Sequence, residues 1–302
     1  MDASRTLTFP GPAGPGHTLA PHRRGPHDPC FQIVDGAIWR TSLQSSGPVT
    51  ARITHTAPDT VECQAWGEGA AEFVDTLPAL LGYDDDASDF RPAHPTVALA
   101  QQRARHLRLG RTGRVLEALI PAVLEQRVQG VVAFRSWRLL LTRYGSPAPG
   151  PAPAVMRVPP PASVWARIPS WEYHRAEVDP GRMRTLIGCA QRADALERLA
   201  SRPPAEARAA MMSLPGVGEW TAAETAQRAL GDADALSVGD YHLASMIGWT
   251  LLGRPIDDPA MVELLEPLRP HRYRAVRLLE VSRLAHLPRR GPRLPVQRIS
   301  GL

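Results

Sequence analysis

The chain has 302 residues, 43% of them hydrophobic, and a formal net charge of +5; it is long enough for two domains or one large one and too apolar to be mainly disordered. All 35 basic residues are arginine, so no side-chain amine exists for Schiff-base chemistry. Cys30, Cys63 and Cys189 are too scattered for a zinc or iron–sulfur site, and neither a signal segment nor a membrane-length apolar run occurs, which predicts a reduced, cytoplasmic protein.

Residues 1–30 are rich in Pro, Gly and His and read as an irregular arm. Alternating apolar and polar residues at 38–43, 49–54 and 60–66 predict short antiparallel strands, and a helix follows from Ala71 to Leu81. Together they define a small α/β N-terminal domain at residues 31–86. Residues 87–286 read as a helical body. Its first helix spans 115–124, and Phe134, Trp137, Leu140 and Leu141 form the next apolar stripe. The proline-rich stretch 145–163 predicts a stiff loop, and further helices are predicted at 180–199, 204–212, 219–230, 241–252, 259–266 and 271–286. Residues 287–302 form a basic, proline-rich tail. The fold class is mainly α, of the α+β kind.

The segment carrying most chemistry is Ser213-Leu214-Pro215-Gly216-Val217-Gly218-Glu219-Trp220-Thr221-Ala222. A Pro-Gly-x-Gly turn between two helices lets the backbone approach a ligand and leaves amide N–H groups free at the start of the second helix. Such a turn binds anions, and a phosphodiester fits it. Asp240 follows twenty residues after Trp220, at the opening of another apolar helix. On its own, Asp240 is also a good helix N-cap.

This hairpin, the helical run before it and the Gly239-Asp240-Tyr241 after it resemble the helix-hairpin-helix DNA glycosylases, and within them the 3-methyladenine DNA glycosylase II branch. Residues 118–128 resemble that branch's helix leading into a DNA-wedge loop, and the strands of residues 31–82 resemble its N-terminal domain, a small sheet like half of the TATA-binding protein. The resemblance implies a helix-hairpin-helix body behind a small antiparallel-sheet domain, with double-stranded DNA as partner. It implies hydrolysis of the glycosidic bond of a flipped, damaged purine by a monomeric, nucleoid-associated enzyme, leaving an abasic site.

The residue roles it implies are these. Asp240 is the catalytic carboxylate. Gly216, Gly218 and Thr221 meet DNA phosphate. Gln126 and Arg127 form the wedge. Trp220, Tyr241 and Glu224 line the base pocket. No cofactor or metal is required, although hairpin carbonyls could hold a monovalent cation. Bifunctional branches place a lysine where Trp220 stands, so lyase activity is not expected. Glu224 replaces a common pocket aromatic, and Leu268 and His271 stand where tryptophan is common; a solvated helix position is the plain alternative for Glu224. The competing functions are excision of adenine, hypoxanthine or uracil, and a non-catalytic helix-hairpin-helix DNA-binding protein.

Overall fold

A computed structural model describes residues 2–288. Five strands, β1 (Ala3–Thr8), β2 (Phe31–Val34), β3 (Ala37–Gln44), β4 (Gly47–Ala57) and β5 (Thr60–Trp66), form one antiparallel sheet in the order β1-β5-β4-β3-β2. Alternation sets its buried face: Val49, Ala51 and Ile53 of β4 and Val61, Cys63 and Ala65 of β5 point into one core. Register keeps them side by side, with Ala51 opposite Ala65 and Ile53 opposite Cys63. Helices α1 (Pro15–Leu19) and α2 (Ala70–Leu80) close that core with Leu19, Phe73 and Leu77.

Residues 2–30 are therefore not an irregular arm. β1 pairs along β5 from Ala3 opposite Ala65 to Thr8 opposite Thr60, and Phe9, Ala13 and Leu19 are sheet-core residues. A ladder is made by main-chain groups, which a composition rich in Pro, Gly and His does not reveal.

The remaining helices are α3 (Pro95–Arg103), α4 (Val115–Leu124), α5 (Gly130–Tyr144), α6 (Ala162–Trp165), α7 (Ser170–Arg175), α8 (Pro180–Ala190), α9 (Ala193–Glu197), α10 (Pro204–Met212), α11 (Glu219–Ala229), α12 (Leu243–Leu252), α13 (Asp258–Leu265) and α14 (Arg272–Val281). Apart from Glu117, helix α4 is apolar all round, which places it at the centre. Its Leu119 and Val123 pack with Leu186 of α8, Met211 of α10 and Ala222 and Ala226 of α11. A second helical core joins Val97 of α3, Ile247 of α12, Met261 and Leu265 of α13 and Leu279 of α14. The stretch expected to be a plain stiff loop carries a two-stranded ladder, Ser146–Pro147 against Arg157–Val158, and α6. The tail assigned to 287–302 lies outside the described residues from 289 onward.

The sheet docks on α4 through charge. Arg40 of β3 bonds Glu117 at 2.5 Å, Ser42 bonds the same carboxylate, and Arg24 meets Glu125 at 2.6 Å. Among the described residues, no helix is long and apolar enough to cross a membrane.

Candidate active site and nucleic-acid interface

The hairpin is the loop between α10 and α11. Val217 buries its side chain in the helical core and its N–H bonds the Leu214 carbonyl, so the loop is a tight, anchored turn. Gly216 has φ +83°, and a Cβ there would lie 2.0 Å from Thr185 Oγ1. Glycine is thus required by the folded chain itself. Gly218 differs. It is the N-cap of α11 with φ −94°, no side chain caps it, and a Cβ would meet nothing within 4 Å. Its missing side chain leaves space on the outside of the protein, in front of the uncapped N–H groups of the first turn. Gly216, Gly218 and Pro215 are all exposed there.

The loop after α4 is bolted to this hairpin. Gln126 Nε2 donates to the Gly216 carbonyl and to Thr221 Oγ1, both at 2.8 Å. Two expectations change accordingly. Thr221 is buried with its hydroxyl accepting from Gln126, so that hydroxyl does not face a phosphate. The Gln126 amide nitrogen is committed to the hairpin rather than presented to an opposite base. Arg127, the next residue, is exposed and holds a left-handed backbone at φ +52°. The monovalent cation expected at the hairpin backbone finds the Gly216 carbonyl already accepting this amide.

Asp240 stands between the two helical cores, since α11 belongs to the first and α12 to the second. Gly239, at φ +87°, turns the chain into it. Asp240 Oδ1 accepts the N–H groups of His242 at 2.8 Å and Leu243 at 2.9 Å, which is the capping role. Oδ2 faces the other way and accepts Trp220 Nε1 at 3.3 Å. One carboxylate therefore caps with one oxygen and presents the other beside a half-buried indole. Tyr241 is next to it but 74% exposed, edge-on to His242. It is not packed as a pocket wall.

Glu224 is neither a solvated helix residue nor an unpaired pocket charge. Its side chain is 15% exposed; Oε2 meets Arg228 at 2.7 Å and Oε1 accepts from Ser237 Oγ at 2.6 Å. Burial alone would push this carboxyl up, but Arg228 and Ser237 outweigh it and hold it below the usual carboxylate range. The negative charge is already balanced, so it offers no net attraction to a cationic base. Leu268 and His271 are buried in the body, His271 between Asp89 and Arg274.

Sequence reading missed four residues around this pair. Arg228 donates from Nε to the Pro21 carbonyl at 2.8 Å, and it lines two cavities that both also touch His22. Tyr273 lines one of them and is buried. Arg24 pairs with Glu125 in the same region. The imidazole of His22 is pushed well below its ordinary value by burial and then by Arg40, Arg228 and Arg24, which keeps it uncharged. The i, i+4 spacing of Glu224 and Arg228 was the available signal; nothing in the sequence brings His22 and Arg24 to them.

No family model matches the chain. It is 31% identical over 268 residues to a Mycobacterium tuberculosis protein described as a probable bifunctional transcriptional activator/DNA repair enzyme AlkA, in an alignment covering 83% of this chain and 51% of that protein. The chain thus spans about half the length of the curated relatives it matches. Among solved structures, 3-methyladenine DNA-glycosylase from Archaeoglobus fulgidus superposes with a TM-score of 0.79 at 16% identity, covering 92% of this chain and 98% of that one. The 8-oxoguanine glycosylase/lyase of Clostridium acetobutylicum gives 0.71 at 12% identity, covering 93% and 96%. With a Pro-Gly-x-Gly hairpin at α11 and a carboxylate across from it, the chain has the fold of the helix-hairpin-helix DNA glycosylases.

Proposed function

We propose that the chain is a monofunctional DNA glycosylase that hydrolyses the glycosidic bond of a damaged purine extruded from duplex DNA. The observation that supports this reading is Asp240 Oδ2, which accepts Trp220 Nε1 at 3.3 Å at the junction of the two helical cores, Trp220 standing two residues after the exposed Gly216-Val217-Gly218 turn. The kinship to a protein described as a DNA repair enzyme supports it. The hairpin amides fix the DNA backbone without reading sequence. The uncapped first turn of α11 adds the positive end of a helix dipole. An extruded base then lies against Trp220 with its deoxyribose facing Asp240.

In the reaction the C1′–N bond breaks and its electron pair leaves with the base. Positive charge grows on the sugar, and the Asp240 carboxylate stabilises it. Water forms the new C1′–O bond, and Asp240 accepts its proton and passes it to solvent. No amine stands at position 220, so no covalent sugar–enzyme bond forms and an abasic site remains. The DNA-binding reading without catalysis accounts for the hairpin but gives no role to the Asp240 oxygen that meets Trp220.

Asp240→Asn is the decisive variant. Asn is as good an N-cap as Asp, so the bonds to His242 and Leu243 survive while the charge goes. Single-turnover base release should fall by at least ~100-fold, the usual scale for losing one electrostatic stabiliser. Affinity for abasic DNA should stay within a few-fold. Base release at the wild-type rate would overturn the assignment.

A further inference from the structure

Among the described residues, Trp171 of α7 is the tryptophan most open to solvent, at 65% exposed. The helix has two unlike faces. Glu172 and Tyr173 are buried, and Tyr173 Oη donates to the Trp165 carbonyl at 3.0 Å. Trp171, His174 and Arg175, spaced i, i+3 and i+4, form the outer face and are all exposed. The Glu172 carboxylate accepts from Arg143 of α5 at 2.8 Å and from Arg175 at 3.4 Å. One carboxylate thus holds two guanidiniums at the surface and leaves that face positive. Arg143 also lies over the Tyr144 ring at 5.9 Å, and Arg167, just before α7, is exposed.

The corner between α7 and α8 is fastened to the loop that carries Gln126 and Arg127. Glu177 in that corner pairs with Arg135 of α5 at 3.0 Å, after the loop, and Arg182 of α8 donates from Nη1 to the Leu124 carbonyl at 2.6 Å, before it. Thr185 of α8 backs onto Gly216 of the hairpin. Helix α8 therefore links the hairpin, that loop and α7, and Tyr173, Leu186 and Val217 share one core. From Thr185 back to the start of α8 is about 8 Å, roughly two to three nucleotides of a strand.

We propose that the outer face of α7 is a second nucleic-acid contact, separate from the site at Asp240, that takes an unpaired base of single-stranded DNA onto Trp171 while Arg175 and Arg143 hold its phosphates. The ligand class follows from the two kinds of group. Surface guanidiniums select an anion, and the hairpin one helix away selects DNA over an acidic protein segment. An exposed indole stacks on the face of a base, which duplex DNA does not offer because its bases are already stacked on one another. Stacking accepts every base, and contact with phosphate is blind to sequence, so this face carries no sequence preference. Its effect is to grip DNA in which a duplex gives way to single strand beside the hairpin. No bond is made or broken there, and the contact does not depend on the chemistry at Asp240.

The test titrates the whole chain with oligothymidylate of about twelve nucleotides, a length within the usual single-strand site sizes, and separately with blunt abasic duplex. The hairpin meets phosphates of either, so the readout is the ratio of the two affinities. Trp171→Ala, with its melting temperature unchanged, should weaken oligothymidylate binding at least ~5-fold, the lower end of the loss on removing one stacking aromatic. Its duplex affinity should stay within about twofold. Trp171→Phe should keep most of the single-strand affinity, since a ring remains, while the quenching of tryptophan fluorescence by oligothymidylate becomes smaller than in wild type. Arg175→Gln, which leaves Glu172 its partner Arg143, should reduce the salt slope of single-strand binding by about 0.7, the value of one phosphate contact. Trp171→Ala that binds oligothymidylate as tightly as wild type overturns the proposal. So does an equal loss on single strand and duplex, which makes α7 part of the duplex footprint, and so does a wild type without measurable affinity for oligothymidylate.

Discussion

Gly216 and Gly218 are two residues apart in one motif, yet they serve different masters. Gly216 is demanded by the fold: its φ is +83° and a Cβ would overlap Thr185 Oγ1. Gly218 has an ordinary extended backbone and open space in front of it. Gly216→Ala should therefore destabilise the protein by about 2–3 kcal/mol, from backbone strain plus a clash that Thr185 must move to relieve. Gly218→Ala should cost about 1 kcal/mol or less, the difference between Gly and Ala at an N-cap, but weaken DNA binding several-fold by filling the space a phosphate needs. Urea melts and abasic-DNA titrations of both variants check this, and equal losses of stability would refute the division of labour. At this scale the sequence was legible where a residue type had a backbone reason, as at Gly216 and Asp240. It was not legible at Glu224 or Thr221, because their states depend on partners such as Ser237 and Gln126, which only the tertiary fold delivers.

The elements are joined by a few capping contacts whose energetics can be titrated. Glu72, in the first turn of α2, accepts from Ser45 N–H and Oγ at 3.2 and 2.7 Å and from Ser46 N–H and Oγ at 2.9 and 2.7 Å. Those serines form the turn between β3 and β4, so one carboxylate ties the sheet to the helix. Burial would push its carboxyl up, but the four hydrogen bonds prevail and hold it down at about 2, against an ordinary 4.5. A folded-state value below the unfolded one means stability that is fully present above about pH 4.5 and lost as pH falls toward about 2. Ser46→Ala should lower the melting temperature at pH 7, and the gap to wild type should close as pH is lowered through that window. A gap independent of pH would show that the charge on Glu72 is not what the serines stabilise. The strands around this turn were readable from alternation, and most helices from apolar spacing and flanking prolines. β1 was not, since Ala3–Thr8 buries little and is held by main-chain bonds to β5. α3, α6 and α7 were missed because short or weakly amphipathic helices leave little periodic signal.

Across the whole molecule, one compositional fact bears on chemistry more directly than any fold likeness. The chain superposes on a glycosylase/lyase as well as on a 3-methyladenine glycosylase, so architecture leaves the fate of the sugar open. Under the proposed reading, the absence of lysine side chains argues for hydrolysis. Many of the arginines have structural duties. Arg24, Arg40, Arg272 and Arg274 are each at most 7% exposed and paired with carboxylates of other segments, Glu125, Glu117, Asp234 and Asp85. None of the 35 can replace a lysine as nucleophile, because a guanidinium stays protonated and forms no Schiff base with the sugar aldehyde. Damaged duplex treated with the protein should therefore stay intact until alkali is added, while base release proceeds. Borohydride, which reduces a Schiff base to a stable amine, should trap no protein–DNA adduct. An adduct mapping to any side chain would refute hydrolysis by water. One mapping to the α-amino group would identify an amine that the composition of side chains does not count, and would move the sugar chemistry from the Asp240 cleft to the terminus of the chain.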